Sequence, residues 1–200
     1  MNNIKKHFDR QIKALQQAYQ KGFGKLEEKL LSDCINTIKN KKQIIVTALG
    51  KNVPICEKFV GTLNSVGIDA HFMHTNSAIH GDLGLIDDGD LVILLSKSGN
   101  TEETLLLANI IKDFKAKKWL LTCNNQAKAI KLVDNTLVFH LKHEGDPWNL
   151  IPNNSTILFL VFLQALAMTL IDELKIPISV FKRNHPGGDI GKKLLKINAR

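Results

Sequence analysis

The chain has 200 residues, 44% of them hydrophobic and 6% aromatic, with 27 Lys and Arg against 19 Asp and Glu and a formal net charge of +8. This is enough apolar material for one compact globular domain and too much for a disordered chain. Cys34, Cys56 and Cys123 are widely spaced with no Cys-x-x-Cys, which excludes a disulfide framework and a zinc knuckle. The cations are scattered and come with no aromatic platform or helix-turn-helix pattern. The charge therefore argues for an anionic small-molecule substrate rather than for nucleic acid.

The N-terminus, Met1-Asn2-Asn3-Ile4-Lys5-Lys6, lacks the apolar run of a signal peptide, so the expected location is the reducing cytoplasm. From Ile4 to about Lys39 apolar residues recur at three and four, with Gly22 and Gly24 separating two helices. Residues 1–41 read as N-terminal helices packing on a domain that occupies residues 42–200. Gln43 to Ala48 is a β-branched strand ending in Leu49-Gly50-Lys51-Asn52, and Val53 to Val66 is helical. His71-Phe72-Met73 lies in a second strand and Leu91 to Leu95 is a third. Thr101 to Lys115 reads as a helix, Lys118 to Cys123 as a fourth strand and Thr136 to Leu141 as a fifth.

Short continuous apolar strands alternating with helices mark an α/β fold with a parallel sheet covered on both faces. Right-handed crossovers bring the C-terminal ends of all strands to one edge, where open α/β sheets bind ligands. Lys51, Ser96 to Glu103 and Asn124 are expected there. Ile157 to Ile171 is apolar but interrupted by Gln164, and it is shorter than the roughly 20 residues that span a bilayer. It reads as a buried helix or a subunit interface, with no membrane partner. Pro177 ends the regular pattern, and Asn184-His185-Pro186-Gly187-Gly188-Asp189-Ile190-Gly191 reads as a glycine-rich loop.

The stretch Ser96-Lys97-Ser98-Gly99-Asn100-Thr101-Glu102-Glu103 joins an apolar strand to a helix start, which aims hydroxyls and free N–H groups at one point favoured by the helix dipole. It matches neither Gly-x-x-x-x-Gly-Lys-Ser/Thr nor Gly-x-Gly-x-x-Gly, so a small phosphorylated metabolite fits better than a nucleotide. An ordinary cap, Ser98 or Thr101 with a Glu one turn later, explains the same residues.

Other candidates also have ordinary explanations one at a time. Lys51 is a loop lysine, His80 in Ile79-His80-Gly81-Asp82-Leu83-Gly84 a turn histidine, and Glu103 a dipole-favoured first-turn acid. Glu144 lies in a polar loop, Ser155 and Thr156 start the long apolar helix, and His185 precedes a rigid loop. His7, His71, His74, His140 and His143 show no metal-ligand spacing. Together, however, Lys51, His80, Glu103, Glu144, His185 and two hydroxyl-bearing helix starts are the groups that proton shuttling on a phosphosugar requires.

Gly50-Lys51, Ala78 to Gly84, Ser96 to Glu103, Asn154-Ser155-Thr156 and His185-Pro186-Gly187-Gly188-Asp189-Ile190-Gly191-Lys192-Lys193-Leu194-Leu195 resemble the sugar isomerase (SIS) domain of arabinose-5-phosphate isomerases from about Lys42 onward. The resemblance implies a flavodoxin-like three-layer sandwich with a five-stranded parallel sheet. It implies interconversion of D-ribulose 5-phosphate and D-arabinose 5-phosphate through a cis-enediol(ate), without metal or organic cofactor, as the first step towards 3-deoxy-D-manno-octulosonate (Kdo) for lipopolysaccharide or capsule. On it, Lys51, His80, Glu103, Glu144 and His185 match catalytic residues, and Ser96, Ser98, Thr101, Ser155 and Thr156 match phosphate-contacting hydroxyls. It also implies a homotetramer in which the two histidines reach a site from neighbouring subunits, and inhibition by CMP-Kdo.

Three departures stand out: Asn52-Val53 replaces the usual Ser-Gly after Lys51, Lys97 replaces a small polar residue between the serines, and the paired CBS modules of many family members are missing, so a short form is expected. Within the same fold, 6-phospho-3-hexuloisomerase, phosphoheptose isomerase and a non-catalytic phosphosugar sensor are the alternatives. The two histidine motifs favour the arabinose-5-phosphate enzyme.

Overall fold

A computed structural model of the chain describes residues 3–21 and 24–197, so Gly22, one of the two glycines expected between the N-terminal helices, lies outside the described residues. Helices α1 (Asn3–Gln20) and α2 (Lys25–Lys39) precede the sheet. Strands β1 (Ile44–Ala48), β2 (Ala70–His74), β3 (Leu91–Leu95), β4 (Lys117–Thr122) and β5 (Asn135–Val138) follow, interleaved with α3 (Val53–Ser65), α4 (Thr75–Ala78) and α5 (Glu102–Ile110). Helices α6 (Asn154–Glu173), α7 (Ile178–Asn184) and α8 (Gly188–Ile197) close the described chain. The five strands are all parallel in the order β2-β1-β3-β4-β5. The chain reverses its direction of travel across the sheet between β1 and β3, which opens a crevice at their C-terminal ends.

The period of two along a strand divides the core. Ile44, Val46 and Ala48 of β1, with Leu91, Ile93 and Leu95 of β3, face Leu30 and Cys34 of α2, Phe59 and Leu63 of α3, and Phe159 and Leu163 of α6. Ile45, Val92, Leu94 and Leu120 point the other way, onto Leu107 and Ala108 of α5 and Ile111. Both faces of β1 and β3 are buried throughout, which explains why β3 is an uninterrupted apolar run and β1 is apolar but for Thr47, whose hydroxyl is bonded to that of Thr75 at 2.9 Å. A polar knot ties the first layer: buried Asp33 of α2 accepts from Lys117 Nζ at 2.7 Å, Trp119 Nε1 at 3.0 Å and Lys29 Nζ at 3.1 Å.

Several elements differ from the sequence expectation. The helix expected to run to Lys115 gives way to a 3-10 turn at Ile111–Asp113. Strand β5 stops at Val138, because Phe139 turns its ring onto Phe159 and Phe162 of α6, with centroids 5.5 and 4.8 Å apart. Pro177 does not end regular structure but sits at the N-cap of α7, a position where its missing N–H costs nothing. The glycine-rich segment is partly helical, for Gly188 and Gly191 belong to α8. A Cβ on Gly191 would lie 3.0 Å from the carbonyl oxygens of His185 and Pro186, so glycine lets α8 fold back under this loop.

Helix α6 is long and apolar enough to cross a membrane, with mean hydropathy 1.9. Its Leu158, Phe159, Phe162, Leu163, Leu166, Ala167 and Leu170 are buried in the core, as expected of a helix inside a globular domain.

Candidate functional site

The loop from Ser96 to Thr101 leaves β3 inside the crevice and is fastened to β4 through its carbonyls. Lys97 O accepts from Thr122 Oγ1 at 2.9 Å and Cys123 N at 3.0 Å, Ser98 O from Asn124 Nδ2 at 2.9 Å, and Gly99 O from Ala129 N at 3.1 Å. Gly99 has φ +58°, and a Cβ there would sit 2.5 Å from Cβ of Ala127. With the carbonyls taken on the β4 side, the side-chain hydroxyl protons remain for a ligand. Ser96 Oγ accepts from Gly99 N and Ser98 Oγ from Asn100 N. Among the described residues, no hydrogen bond takes the hydroxyl protons of Ser96, Ser98 or Thr101.

Thr101 is the N-cap of α5, yet its side chain makes no cap bond. The capping explanation therefore does not describe the loop, and the first N–H groups of α5 lack a side-chain acceptor. These residues line a hollow of about 180 Å³ with Leu49, Asn52, Lys97 and Thr104. Three hydroxyls, an uncapped helix start and the positive end of its dipole form an anion cradle at the β1/β3 switch point. Asn52 was not among the expected site residues, and its signal was the break in the Gly-Lys-Ser-Gly pattern.

The second helix start is organised differently. Glu144 is fully buried and caps α6 from outside: Oε2 accepts from Ser155 N at 2.9 Å and Asn153 N at 3.0 Å, and Oε1 accepts from Ser155 Oγ at 2.6 Å. The ammonium of Lys97 completes the shell at 2.8 Å from Oε1. Burial pushes this carboxyl upward, but Lys97, the Ser155 hydroxyl and the two N–H groups outweigh it, and the net pKa lies below the ordinary carboxylate value. Thr156 Oγ1 donates to Asn153 O at 2.7 Å. The protons of Ser155 and Thr156 are thus already engaged, unlike those of Ser96, Ser98 and Thr101. Helix α1 braces this corner through Arg10 Nη1 to Gly145 O at 3.0 Å and Gln11 Nε2 to Asn153 Oδ1 at 3.0 Å.

The remaining candidates lie around the cradle or away from it. Lys51 is exposed in the 3-10 turn after β1, and Glu103 is exposed in the first turn of α5. Exposed His80 lies beyond α4, on the loop that follows β2. His185 is elsewhere: its Nδ1 lies 2.9 Å from Phe181 O, and its ring lies 4.0 Å from that of Phe181. The neighbouring Asn184 donates to the carbonyls of Asn64 and Ser65, at the far end of α3. Helix α3 starts at the C-terminal edge of the sheet and runs back. His185 therefore stands at the edge opposite the cradle of its own chain.

A larger hollow of about 620 Å³, between α1, the end of β5 and α6, is lined mostly by apolar residues such as Leu15, Phe139 and Leu158. It lacks the convergent hydroxyl and N–H donors of the cradle.

Comparison with known proteins agrees with this architecture. The chain is 38% identical over 162 residues to the arabinose 5-phosphate isomerase KpsF of Escherichia coli, covering 80% of this chain and 50% of that protein. It is 31% identical over 195 residues to the KdsD enzyme of the same name from Francisella tularensis, covering 98% and 59%. The chain thus spans about half the length of the curated relatives it matches. An Escherichia coli CFT073 protein solved in complex with arabinose 5-phosphate superposes with a TM-score of 0.81 at 28% identity, over 93% of this chain and 100% of that one. With the SIS domain model matching residues 37–169, from the end of α2 through the crevice loops and most of α6, the chain belongs to the SIS domain family.

Proposed function

We propose that this protein is an aldose–ketose isomerase that interconverts D-ribulose 5-phosphate and D-arabinose 5-phosphate. The observation that carries the reading is the anion cradle at the β1/β3 switch point, with three free hydroxyl protons beside an uncapped helix. Its support from relatives is the name of KpsF and KdsD and the arabinose 5-phosphate bound to the Escherichia coli structure.

The phosphate is held by Ser96, Ser98, Thr101 and the first N–H groups of α5, which fixes the sugar relative to the crevice. Lys51 and Glu103, on its rim, orient sugar hydroxyls. From the ketose, a base removes a proton from C1, the electron pair forms the C1–C2 double bond of the enediolate, and the carbonyl oxygen on C2 takes the negative charge. Return of a proton to C2, with transfer of the O1 proton to O2, gives the aldose. His80 or His185 carries the C1/C2 proton, and Glu144 assists proton transfer. Since His185 lies at the opposite edge of its own chain, it serves the site of a neighbouring subunit, which fits a homotetramer. A cytoplasmic location, a place at the head of Kdo formation and inhibition by CMP-Kdo belong to the same reading.

Incubation with ribulose 5-phosphate, fructose 6-phosphate and sedoheptulose 7-phosphate, followed by product identification, tests it. Arabinose 5-phosphate is the expected product, and turnover of only the hexose or heptose phosphate overturns the assignment.

A further inference from the structure

We propose that Lys97 is a positioning residue of this site, its ammonium fixing the buried Glu144 carboxylate beside the phosphate hollow. The inference rests on the reading of the crevice as an isomerase site. The long basic side chain between the two serines is not spare surface charge. The Lys97 backbone is anchored by the two bonds from β4 to its carbonyl, and its side chain crosses to Glu144, ending 2.8 Å from Oε1. The pair is asymmetric: the Glu144 side chain is 0% exposed and that of Lys97 39%. Ser155, the other partner of Oε1, is itself buried. Among the described residues, Lys97 is thus the only member of the Glu144 shell that also lines the hollow.

A carboxylate taken wholly out of water is retained in ionised form only when its oxygens are matched. The α6 amides and the Ser155 hydroxyl supply dipoles, but Lys97 supplies the full positive charge. No other cationic group among the described residues is paired with Glu144. Arg10 of α1 is bonded to Gly145 O, His143 Nδ1 accepts from Gly145 N, and the Cys123 thiol at the end of β4 is held neutral, its pKa pushed up to about 12. Asp146 is occupied by the N–H groups of Trp148, Leu150 and Ile151. Without Lys97, Glu144 keeps its hydrogen bonds and loses its counter-charge. Its proton affinity rises, and the pH range over which it serves as a carboxylate narrows from the acidic side.

The test uses the full chain as wild type, Lys97→Met, Lys97→Arg, Glu144→Gln and the double variant Lys97→Met/Glu144→Gln. Carboxyl carbon NMR follows the Glu144 titration without substrate. It is expected to move to higher pH in Lys97→Met and to return in Lys97→Arg. In steady-state assays kcat of Lys97→Met falls by about 10-fold to 100-fold, reaching at most the lower end of what one positioned proton carrier supplies, because Glu144 itself remains. Its KM stays within about threefold, the acidic limb of kcat/KM moves up in pH, and the double variant is no worse than either single one, as for groups that act as a unit. An unchanged Glu144 titration overturns the proposal. So does a Lys97→Met enzyme with normal kcat but weakened inhibition by inorganic phosphate, since Lys97 is then a phosphate ligand only. If Lys97→Met does not fold, Lys97→Asn, which puts a small polar side chain there, takes its place. A wild type that turns over no sugar phosphate defeats the isomerase reading, while the NMR titration still decides the pairing.

Discussion

Gly99 and Gly50 provide a controlled test of the cradle geometry, because the structure gives both the same φ of +58° and different surroundings. A Cβ on Gly50 meets nothing within 4 Å, whereas one on Gly99 lies 2.5 Å from Ala127 Cβ, with Leu120 and Thr122 at 3.5 Å. Alanine pays about 1–2 kcal/mol for the left-handed conformation at either site. It recovers about 0.4–1 kcal/mol through the unfolded chain at either site, so both effects cancel in a comparison. The overlap with Ala127 remains and amounts to about 1–3 kcal/mol of overpacking. Urea unfolding of Gly99→Ala and Gly50→Ala is therefore expected to differ by that amount, or by about 2–12 °C in Tm for a chain of this size. Gly99→Ala should also weaken inorganic phosphate binding measured by calorimetry, because relief of the clash must move the loop that carries Ser98. Equal destabilisation of the two variants would refute the steric argument for this loop.

Asp33 tests the polar knot under the sheet. Burial raises its pKa, but Lys117, Lys29 and Trp119 outweigh that effect, leaving it below the ordinary 3.8. A depressed carboxyl stabilises the fold above pH 3.8 and loses that contribution as pH falls through its folded value. Asp33→Ala is expected to cost about 2–3 kcal/mol near neutral pH in denaturant unfolding, since it leaves Trp119 and Lys117 without their acceptor. The gap from wild type should narrow below pH 3.8, and a gap that stays constant on acidification contradicts this account. Burial also pushes the thiols of Cys34 and Cys56 upward and that of Cys123 to about 12, so a thiolate-selective reagent near pH 8 should leave the native protein largely unmodified and label all three after unfolding. Finally, if a cradle is served by His185 of another chain, co-refolding equal amounts of inactive His185→Ala and inactive Ser98→Ala chains should restore about a quarter of the wild-type activity, as random pairing across a shared interface dictates. Failure to regain activity would place both residues in one chain's site.

The sheet was legible because both faces of its strands are buried, so Leu91 to Leu95 could satisfy no alternation of polar and apolar residues. The strand ends were less so. Phe139 is as apolar as a strand residue, and only the position of α6 decides that its ring leaves the sheet. Pro177 and the glycines after Pro186 carry the same local signals in a loop as at helix starts, and the fit of Gly191 against two carbonyls is a tertiary fact. In the site, the hydroxyl pattern from Ser96 to Thr101 is local and was readable in full. Glu144 stands among polar residues and looks solvated in sequence. It is buried because the N-terminal amides of α6, nine and eleven positions further on, need an acceptor. Lys97 was visible as an oddity between two serines, but its partner lies 47 residues away, beyond the reach of any local pattern.

The two helix starts divide the work by how their hydrogen bonds are closed. At α6 the amides of Asn153 and Ser155 and the Ser155 hydroxyl already hold an anion, the side chain of Glu144, so a second phosphate on these groups would displace a buried carboxylate with four partners. At α5 the loop carbonyls are taken on the opposite side by donors from β4 and the segment after it, and the hydroxyl protons and first helix N–H groups are left open. Under the proposed function, a ligand with one phosphate and a short polar body takes one orientation: phosphate at α5, body towards Lys51 and Glu103, with the buried Glu144 behind Lys97. The hollow selects the class of ligand through rigid, preformed donors. On the proposed isomerase reading, the reaction depends on ionisable groups around that fixed point, and on a His185 that stands at the sheet edge opposite its own cradle.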